Sequence, residues 1–68
     1  MTNDRPWRPG RDLPPKADVY ERRQRDGRVY FAFFDSVQWF IGAQTIAEAL
    51  EQHINSPLQT GAEWRETK

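Results

Sequence analysis

The segment VYFAFFDSVQWFIG, residues 29–42, constrains the fold most, because it holds six of the nine aromatic side chains in a chain of 68 residues. In a strand with one buried face, apolar residues fall at every second position. The aromatic residues of this segment instead divide between two faces once the chain turns at Asp35-Ser36: Phe31, Phe33 and Phe40 lie on one, and Tyr30, Phe34 and Trp39 on the other. The pattern therefore predicts strands with two apolar faces, each of which needs a partner.

Length and composition exclude several classes of protein. A chain of 68 residues forms one small domain and buries only about 60% of its unfolded surface. It has no cysteine and one histidine, His53, which excludes disulfides and argues against a zinc site. The first 18 residues are charged and rich in proline, and no apolar run approaches the roughly 20 residues of a membrane span. We expect a soluble, cytoplasmic protein without cofactor or metal.

The net charge of zero conceals an asymmetry along the chain. Residues 1–30 carry eight Lys/Arg against five Asp/Glu, which leaves +3, whereas residues 31–68 carry two against five, which leaves −3. This excess is small beside that of a dedicated nucleic-acid binder. The charge pattern favours an ordinary solvated surface.

Proline content separates the N-terminal segment from the rest of the chain. Four of the five prolines (Pro6, Pro9, Pro14 and Pro15) lie within the first 15 residues, beside few large apolar groups. Such a composition buries too little surface to offset the entropy of ordering it. We predict a flexible, disordered arm over residues 1–18, anchored by Trp7, and a single domain over residues 19–68.

Two turn signals organise the aromatic region into strands. The pair Asp26-Gly27 between two β-rich runs predicts a hairpin with a two-residue turn, and Asp35-Ser36 predicts a second tight turn. The expected result is a three-stranded antiparallel meander over residues 19–25, 28–35 and 37–42, with the second strand central. In this register positions 24 and 29 face each other.

A short amphipathic helix follows the strands. Thr45 and Glu48 have the spacing of a capping box, so the helix is expected to begin after Thr45. Apolar residues then recur on one helical stripe: Ile46, Ala49, Leu50, His53 and Ile54. Pro57 ends the pattern. The predicted fold is α+β, in the order β-β-β-α, with a helix over residues 46–55 on one face of the sheet and an irregular tail around Trp64.

A helix of this length covers only one face of the sheet, and we expect it on the face of Val37, Trp39 and Ile41. The other face and the neighbouring edge form the predicted contact surface: Tyr20, Arg22, Phe31, Phe33, Phe40 and Trp39. The sequence leaves three ways to cover this surface: Trp7 or Trp64 of the same chain, a second copy of the chain, or a different molecule. A free, apolar VQWFIG edge would favour a second copy.

Catalysis has no support in the sequence. No nucleophile and base stand in a known motif, and no Gly-rich loop is present, so we expect a protein that is not an enzyme. Arg23, Arg25 and Arg28 cluster with Arg22 around the first hairpin and are the candidate contacts for an anion. Two functions follow: a protein-interaction module that binds itself or another protein, or a weak nucleic-acid binder in which the aromatic residues stack on bases.

Two resemblances bear on these alternatives. The order of three strands, a glycine and a Thr-capped helix (WFIGAQTIAEALEQ) is similar to the plant ethylene-response-factor DNA-binding domain and to the arm-binding domains of phage integrases. The resemblance covers residues 19–54. That resemblance implies a DNA-facing sheet surface composed of Tyr20, Arg22, Gln24, Phe31, Phe33, Gln38 and Phe40.

The second resemblance is to small proteins of phages and prophages, most of them without an assigned activity. It is carried by Arg25-Asp26-Gly27, Phe34-Asp35, Trp39, the helix from Thr45, Gln59 and Trp64-Arg65. It implies an accessory protein that acts by binding, and inhibitors of host-defence proteins are one such class.

Overall fold

The computed structural model describes residues 4–67, which form three strands and one short helix. These elements are β1 (Asp18–Arg23), β2 (Val29–Phe34), α1 (Ile46–Leu50) and β3 (Glu63–Glu66). The sheet is antiparallel in the order β2-β1-β3. The α+β class is confirmed, but the order β-β-β-α is wrong: the helix precedes the third strand, β1 is central, and β3 comes from the tail expected to be irregular.

The first hairpin has a three-residue loop instead of the expected two-residue turn. The Gln24 N–H donates to the Arg28 carbonyl (2.9 Å), and the Gly27 N–H donates to the Gln24 carbonyl (3.0 Å). Gly27 has φ +90°, which glycine adopts without a steric penalty. A two-residue Asp-Gly turn would also need a positive φ at Asp26, and Asp26 does not have one.

The longer loop shifts the β1–β2 register by one residue, so that Tyr20 faces Ala32 and not Phe33. A slip of one residue moves every side chain of a strand to the opposite face. Tyr20 and Arg22 therefore lie on the inner face with Ala32 and Phe34, not with Phe31 and Phe33.

The inner face carries the core. Five buried residues form one cluster: Tyr20, Ala32, Phe34, Trp39 and Trp64. The Tyr20 ring meets the rings of Trp39 and Trp64 edge to face, with centroid distances of 5.9 and 5.2 Å, which is a favoured geometry for aromatic pairs. Trp64 is thus a core residue and does not cover the phenylalanines of the outer face.

Residues 39–43 lie beside β2 but do not form a regular strand. Phe34 pairs with Trp39, and Phe31 pairs with Ala43. The second pair is offset by one residue from the first, so residues 39–43 contain an extra residue, as in a β-bulge. The position of the expected third strand is correct, whereas its regular ladder over residues 37–42 is wrong.

The helix begins as expected and ends early. The Glu48 N–H donates to Thr45 Oγ1 at 3.1 Å, which confirms the N-cap. The helix ends at Leu50 instead of residue 55, because residues 54–56 pair with residues 39–41. The Ile41 N–H donates to the Ile54 carbonyl, and the Ser56 N–H donates to the Trp39 carbonyl, both at 2.9 Å. No helix within residues 4–67 has the length and apolar character needed to cross a membrane.

The described part of the N-terminal segment follows the outer edge of β3. Arg8 and Trp64 exchange two backbone hydrogen bonds (2.8 and 3.1 Å). The Tyr20 hydroxyl donates to the Lys16 carbonyl at 2.8 Å, and the Trp64 indole N–H donates to the Asp12 carbonyl. Residues 1–3 lie outside the described residues. The mobility of residues 1–18 and the boundary at residue 19 stay predictions.

Arg22 is a charged residue in the core. It is 0% exposed, and its guanidinium lies 4.3 Å from the Trp39 ring centroid. Within residues 4–67, its Nε, Nη1 and Nη2 atoms have no hydrogen-bond partner. Burial lowers the pKa of the Arg22 guanidinium, yet arginine stays charged in proteins. A desolvated cation–π contact contributes about 2 kcal/mol, less than the several kcal/mol that burying an ion costs.

We therefore expect Arg22→Met to raise the free energy of unfolding by about 1–4 kcal/mol, because an apolar side chain of similar length removes the uncompensated charge. Arg22→Lys should lower it, since an ammonium group is more strongly hydrated than a guanidinium. Urea unfolding followed by tryptophan fluorescence checks both. A methionine variant less stable than the wild type would show that the guanidinium is better compensated than its contacts indicate.

Candidate protein-interaction surface

Ion pairs cover the β1–β3 half of the outer face. Arg65 pairs with Glu21 (3.2 Å) and Arg23 with Glu63 (2.7 Å), each across directly facing positions of the two strands. The Trp7 ring lies over both arginines, with its centroid 4.5 Å from Arg23 Cζ and 4.2 Å from Arg65 Cζ. Trp7 thus contacts the sheet, as expected of the anchor of the N-terminal segment.

Trp7→Ala should lower the free energy of unfolding by about 1–2 kcal/mol, because two cation–π contacts are lost together. Trp7→Phe is the matched control and should lower the free energy of unfolding by less, since phenylalanine keeps an aromatic face, although a weaker one. Thermal and urea unfolding provide the measurement. An alanine variant as stable as the wild type would show that Trp7 contributes nothing to the fold.

Three phenylalanines and the helix occupy the β2 half of the outer face. Phe31, Phe33 and Phe40 are half-buried, and the rings of Phe33 and Phe40 stack with a centroid distance of 5.9 Å. α1 packs against β2 and β1. Its Ala49 is buried outside the inner cluster, as is Val19, which points away from Tyr20. We infer that α1 lies on this outer face and not on the Trp39 face, where it was expected.

The short helix does not bury its apolar stripe. Ala49 is fully buried, whereas Ile46, Leu50 and Ile54 are 44%, 57% and 64% exposed. The expectation that the whole stripe faces the sheet is therefore wrong. We call Ile46, Leu50 and Ile54 the exposed apolar group.

The charged side chains on the segment that carries the exposed apolar group all have one sign. The chain contains no lysine or arginine between Asp35 and Glu63. Glu48 and Glu51, both exposed, lie on the same segment as the group. We infer from this that the surface is apolar with an acidic rim.

The structure separates the residues of the predicted contact surface. Tyr20, Arg22 and Trp39 are buried in the inner face, so their side chains are not available to a partner in this conformation. Phe31, Phe33 and Phe40 remain together on the outer face, each half-buried. Sequence reasoning missed the exposed apolar group, because the helical periodicity of Ile46, Leu50 and Ile54 indicated buried residues, whereas Ile46 and Leu50 are exposed within the helix itself.

The hairpin arginines do not form a free cationic cluster. Arg22 is in the core, and Arg23 is held by Glu63 and Trp7. Arg25 and Arg28 are exposed, and Arg28 pairs with Asp26 at 3.2 Å. Of the three predicted anion contacts, Arg25 and Arg28 are therefore exposed to a ligand.

The VQWFIG edge is closed, which removes the observation that favoured pairing with a second copy. Besides the bonds to residues 54–56, the Trp39 N–H donates to Gln59 Oε1 (2.8 Å). Gln59 Nε2 donates to the carbonyls of Trp39 (3.0 Å) and Ser56 (2.7 Å). The side-chain amide of Gln59 thus takes the place of a neighbouring strand's peptide group.

Gln59→Met should lower the free energy of unfolding by about 1–3 kcal/mol, because the Trp39 N–H loses its acceptor in a region closed to water. Gln59→Glu keeps an acceptor for that N–H but places a carboxylate oxygen against the carbonyls of Trp39 and Ser56, so it should also lower the free energy of unfolding while leaving the Trp39 amide protected from exchange. Urea unfolding and amide exchange at Trp39, followed by NMR, check the two variants. Unchanged exchange at Trp39 in the methionine variant would contradict this role for Gln59.

Comparisons of the chain with protein-family models, with curated proteins and with solved structures found no match. The resemblances to DNA-binding domains and to phage proteins therefore stay predictions. A functional interpretation depends on the exposed surfaces and cavities of the chain itself.

Proposed function

We propose that this chain is a non-enzymatic protein-interaction module and that the exposed apolar group is the centre of its contact surface. The observation that carries the proposal is the exposure of Ile46, Leu50 and Ile54, between 44% and 64%, in a chain this small. Exposed apolar residues grouped within a polar rim are typical of surfaces that bind another protein. Phe33 and Phe40, half-buried on the outer face, extend the surface.

Charge favours a different protein over a second copy as the partner. Two copies that met through this segment would bring Glu48 and Glu51 of each towards the other, with no lysine or arginine nearby in sequence to compensate. Like charges placed opposite each other oppose association, and complementary charges promote it. The matching partner has an apolar centre surrounded by lysine or arginine side chains.

A pair of designed peptides tests this proposal. One is an amphipathic helix with a leucine face and a lysine rim, and the other has the same leucine face with a glutamate rim. Titration calorimetry should show binding of the lysine peptide, and an affinity at least about tenfold lower after Leu50→Gln combined with Ile54→Gln, because two apolar contacts are lost. Val37→Gln is the control, since Val37 is 78% exposed and lies outside the group.

Three outcomes would contradict the proposal. Equal affinity for the lysine and glutamate peptides would show that the acidic rim plays no part in binding. If Val37→Gln lowered the affinity as much as the double glutamine variant does, the exposed apolar group would not be the binding surface. A solution mass that rises with concentration in light scattering, and that the double glutamine variant returns to the monomer value, would assign the surface to a second copy.

The nucleic-acid alternative has less support. One of its stacking residues, Tyr20, and one of its arginines, Arg22, are buried, and Arg23 is engaged by Glu63. Binding of a fluorescent single strand that weakens steeply with salt would favour it. If the resemblance to phage proteins holds, the partner would be a host protein, and neighbouring genes would test that origin.

A further inference from the structure

A groove lies at one end of the inner face, between the start of β2 and the loops at residues 41–44 and 56–58. Its volume is about 490 Å³. Val29, Ile41 and Leu58 give it apolar walls, and Gln24 and Tyr30 supply an amide and a hydroxyl. Arg28 also lines it, and no aspartate or glutamate is among its lining residues in the described chain. The groove shares no residue with the exposed apolar group.

The unpaired Arg22 is the cross-strand neighbour of a residue that lines this groove. Arg22 faces Tyr30 across β1 and β2, and Gln24 lies two residues further along the same side of the chain. Both of these neighbours line the groove. A positive charge in the interior is weakly screened, so the guanidinium makes the groove favourable for a negative group. Arg28, whose side chain is 79% exposed and pairs with Asp26 at 3.2 Å, brings a second positive charge to the groove, and an exposed ion pair of this kind is weak enough for a ligand carboxylate to replace Asp26.

Tyr30 is held in place as the wall between Arg22 and the groove. A Cβ atom added at Gly42 would lie 2.1 Å from Tyr30 Cδ2, so the ring packs directly on the Gly42 backbone. The phenol can donate a hydrogen bond to an anion. Tyr30 therefore offers a hydrogen-bond donor next to the positive charge of Arg22.

We propose that this groove binds a ligand that carries a carboxylate on an apolar body. The walls of Val29, Ile41 and Leu58 accept the apolar part, and the amide of Gln24 with the hydroxyl of Tyr30 donates to the carboxylate. Arg28 and the buried Arg22 supply the opposite charge. An acidic side chain within an apolar peptide segment and a peptide C-terminus both have this chemistry.

Three short peptides test the site by NMR titration of the full chain. Acetyl-Leu-Glu-Leu-amide carries an internal carboxylate, acetyl-Leu-Leu with a free acid carries a terminal one, and acetyl-Leu-Gln-Leu-amide is the neutral match of the first. At least one carboxylated peptide should shift the backbone amides of Gly42, Ala43 and Gln44. The neutral peptide should bind about tenfold more weakly, because it forms no charge-assisted hydrogen bond.

Two variants separate the charge from the shape of the groove. Arg22→Met should reduce the affinity of the carboxylated peptide to that of the neutral one and leave the neutral peptide unaffected, with an amide spectrum that reports the folded state. Arg28→Gln should also weaken the binding of the carboxylated peptide only. Because Arg28 is exposed, this variant tests the charge even if Arg22→Met does not fold. Arg25→Gln, an exposed hairpin arginine outside the groove, and Leu50→Gln, in the exposed apolar group, should bind as the wild type does.

The proposal is overturned if the glutamate and glutamine peptides bind equally, or if no groove amide shifts at millimolar peptide. It is also overturned if neither Arg22→Met nor Arg28→Gln changes the affinity of the carboxylated peptide. A response confined to the free-acid peptide would support the site and assign it to C-terminal carboxylates. Because Leu50→Gln leaves this binding intact, failure here is distinguishable from failure of the proposed function.

Discussion

The loop at residues 25–27 is the constraint on which the rest of the structure depends. Its Gly27, with φ +90°, completes a three-residue turn, and that loop length sets the pairing of β1 with β2. With one residue fewer in the loop, Tyr20 would lie on the outer face and leave the space between Trp39 and Trp64. In the observed register, Tyr20 fills that space and makes edge-to-face contacts with both indoles. The core is therefore a direct consequence of the turn.

The same register places an arginine where an apolar residue would pack more favourably. Arg22 follows Tyr20 on the inner face by the alternation of the strand, and its guanidinium is stacked on Trp39 without a hydrogen-bond partner in residues 4–67. A buried charge of this kind is costly to the fold. The proposed ligand groove beside Tyr30 gives the Arg22 charge a role, because no acidic residue lines that groove in the described chain.

The two sheet edges are closed by short irregular segments, and this closure limits the length of the helix. Arg8 pairs with β3 on one side. On the other side residues 39–43 lie along β2, and residues 54–56 with Gln59 cover them. The chain can supply residues 54–56 to that edge only if the helix ends before them. Ile54 therefore lies outside the helix for the same reason that the edge is protected.

Local sequence patterns were enough to predict the α+β class, the hairpin around residues 25–28, the Thr45 cap and the presence of apolar side chains on both faces of β2. Each of these follows from residues close together in the chain, through turn chemistry, capping or alternation. The loop length, the end of the helix and the identity of β3 were decided only by tertiary structure. Asp-Gly suits both two-residue and three-residue loops, and the helix end reflects competition between helical hydrogen bonds and pairing with residues 39–41. The Glu21–Arg65 and Arg23–Glu63 pairs stabilise β3 only after β1 and β3 meet. The exposed apolar group and the groove beside Arg22 depend on these tertiary contacts as well, and therefore could not be inferred from local sequence pattern.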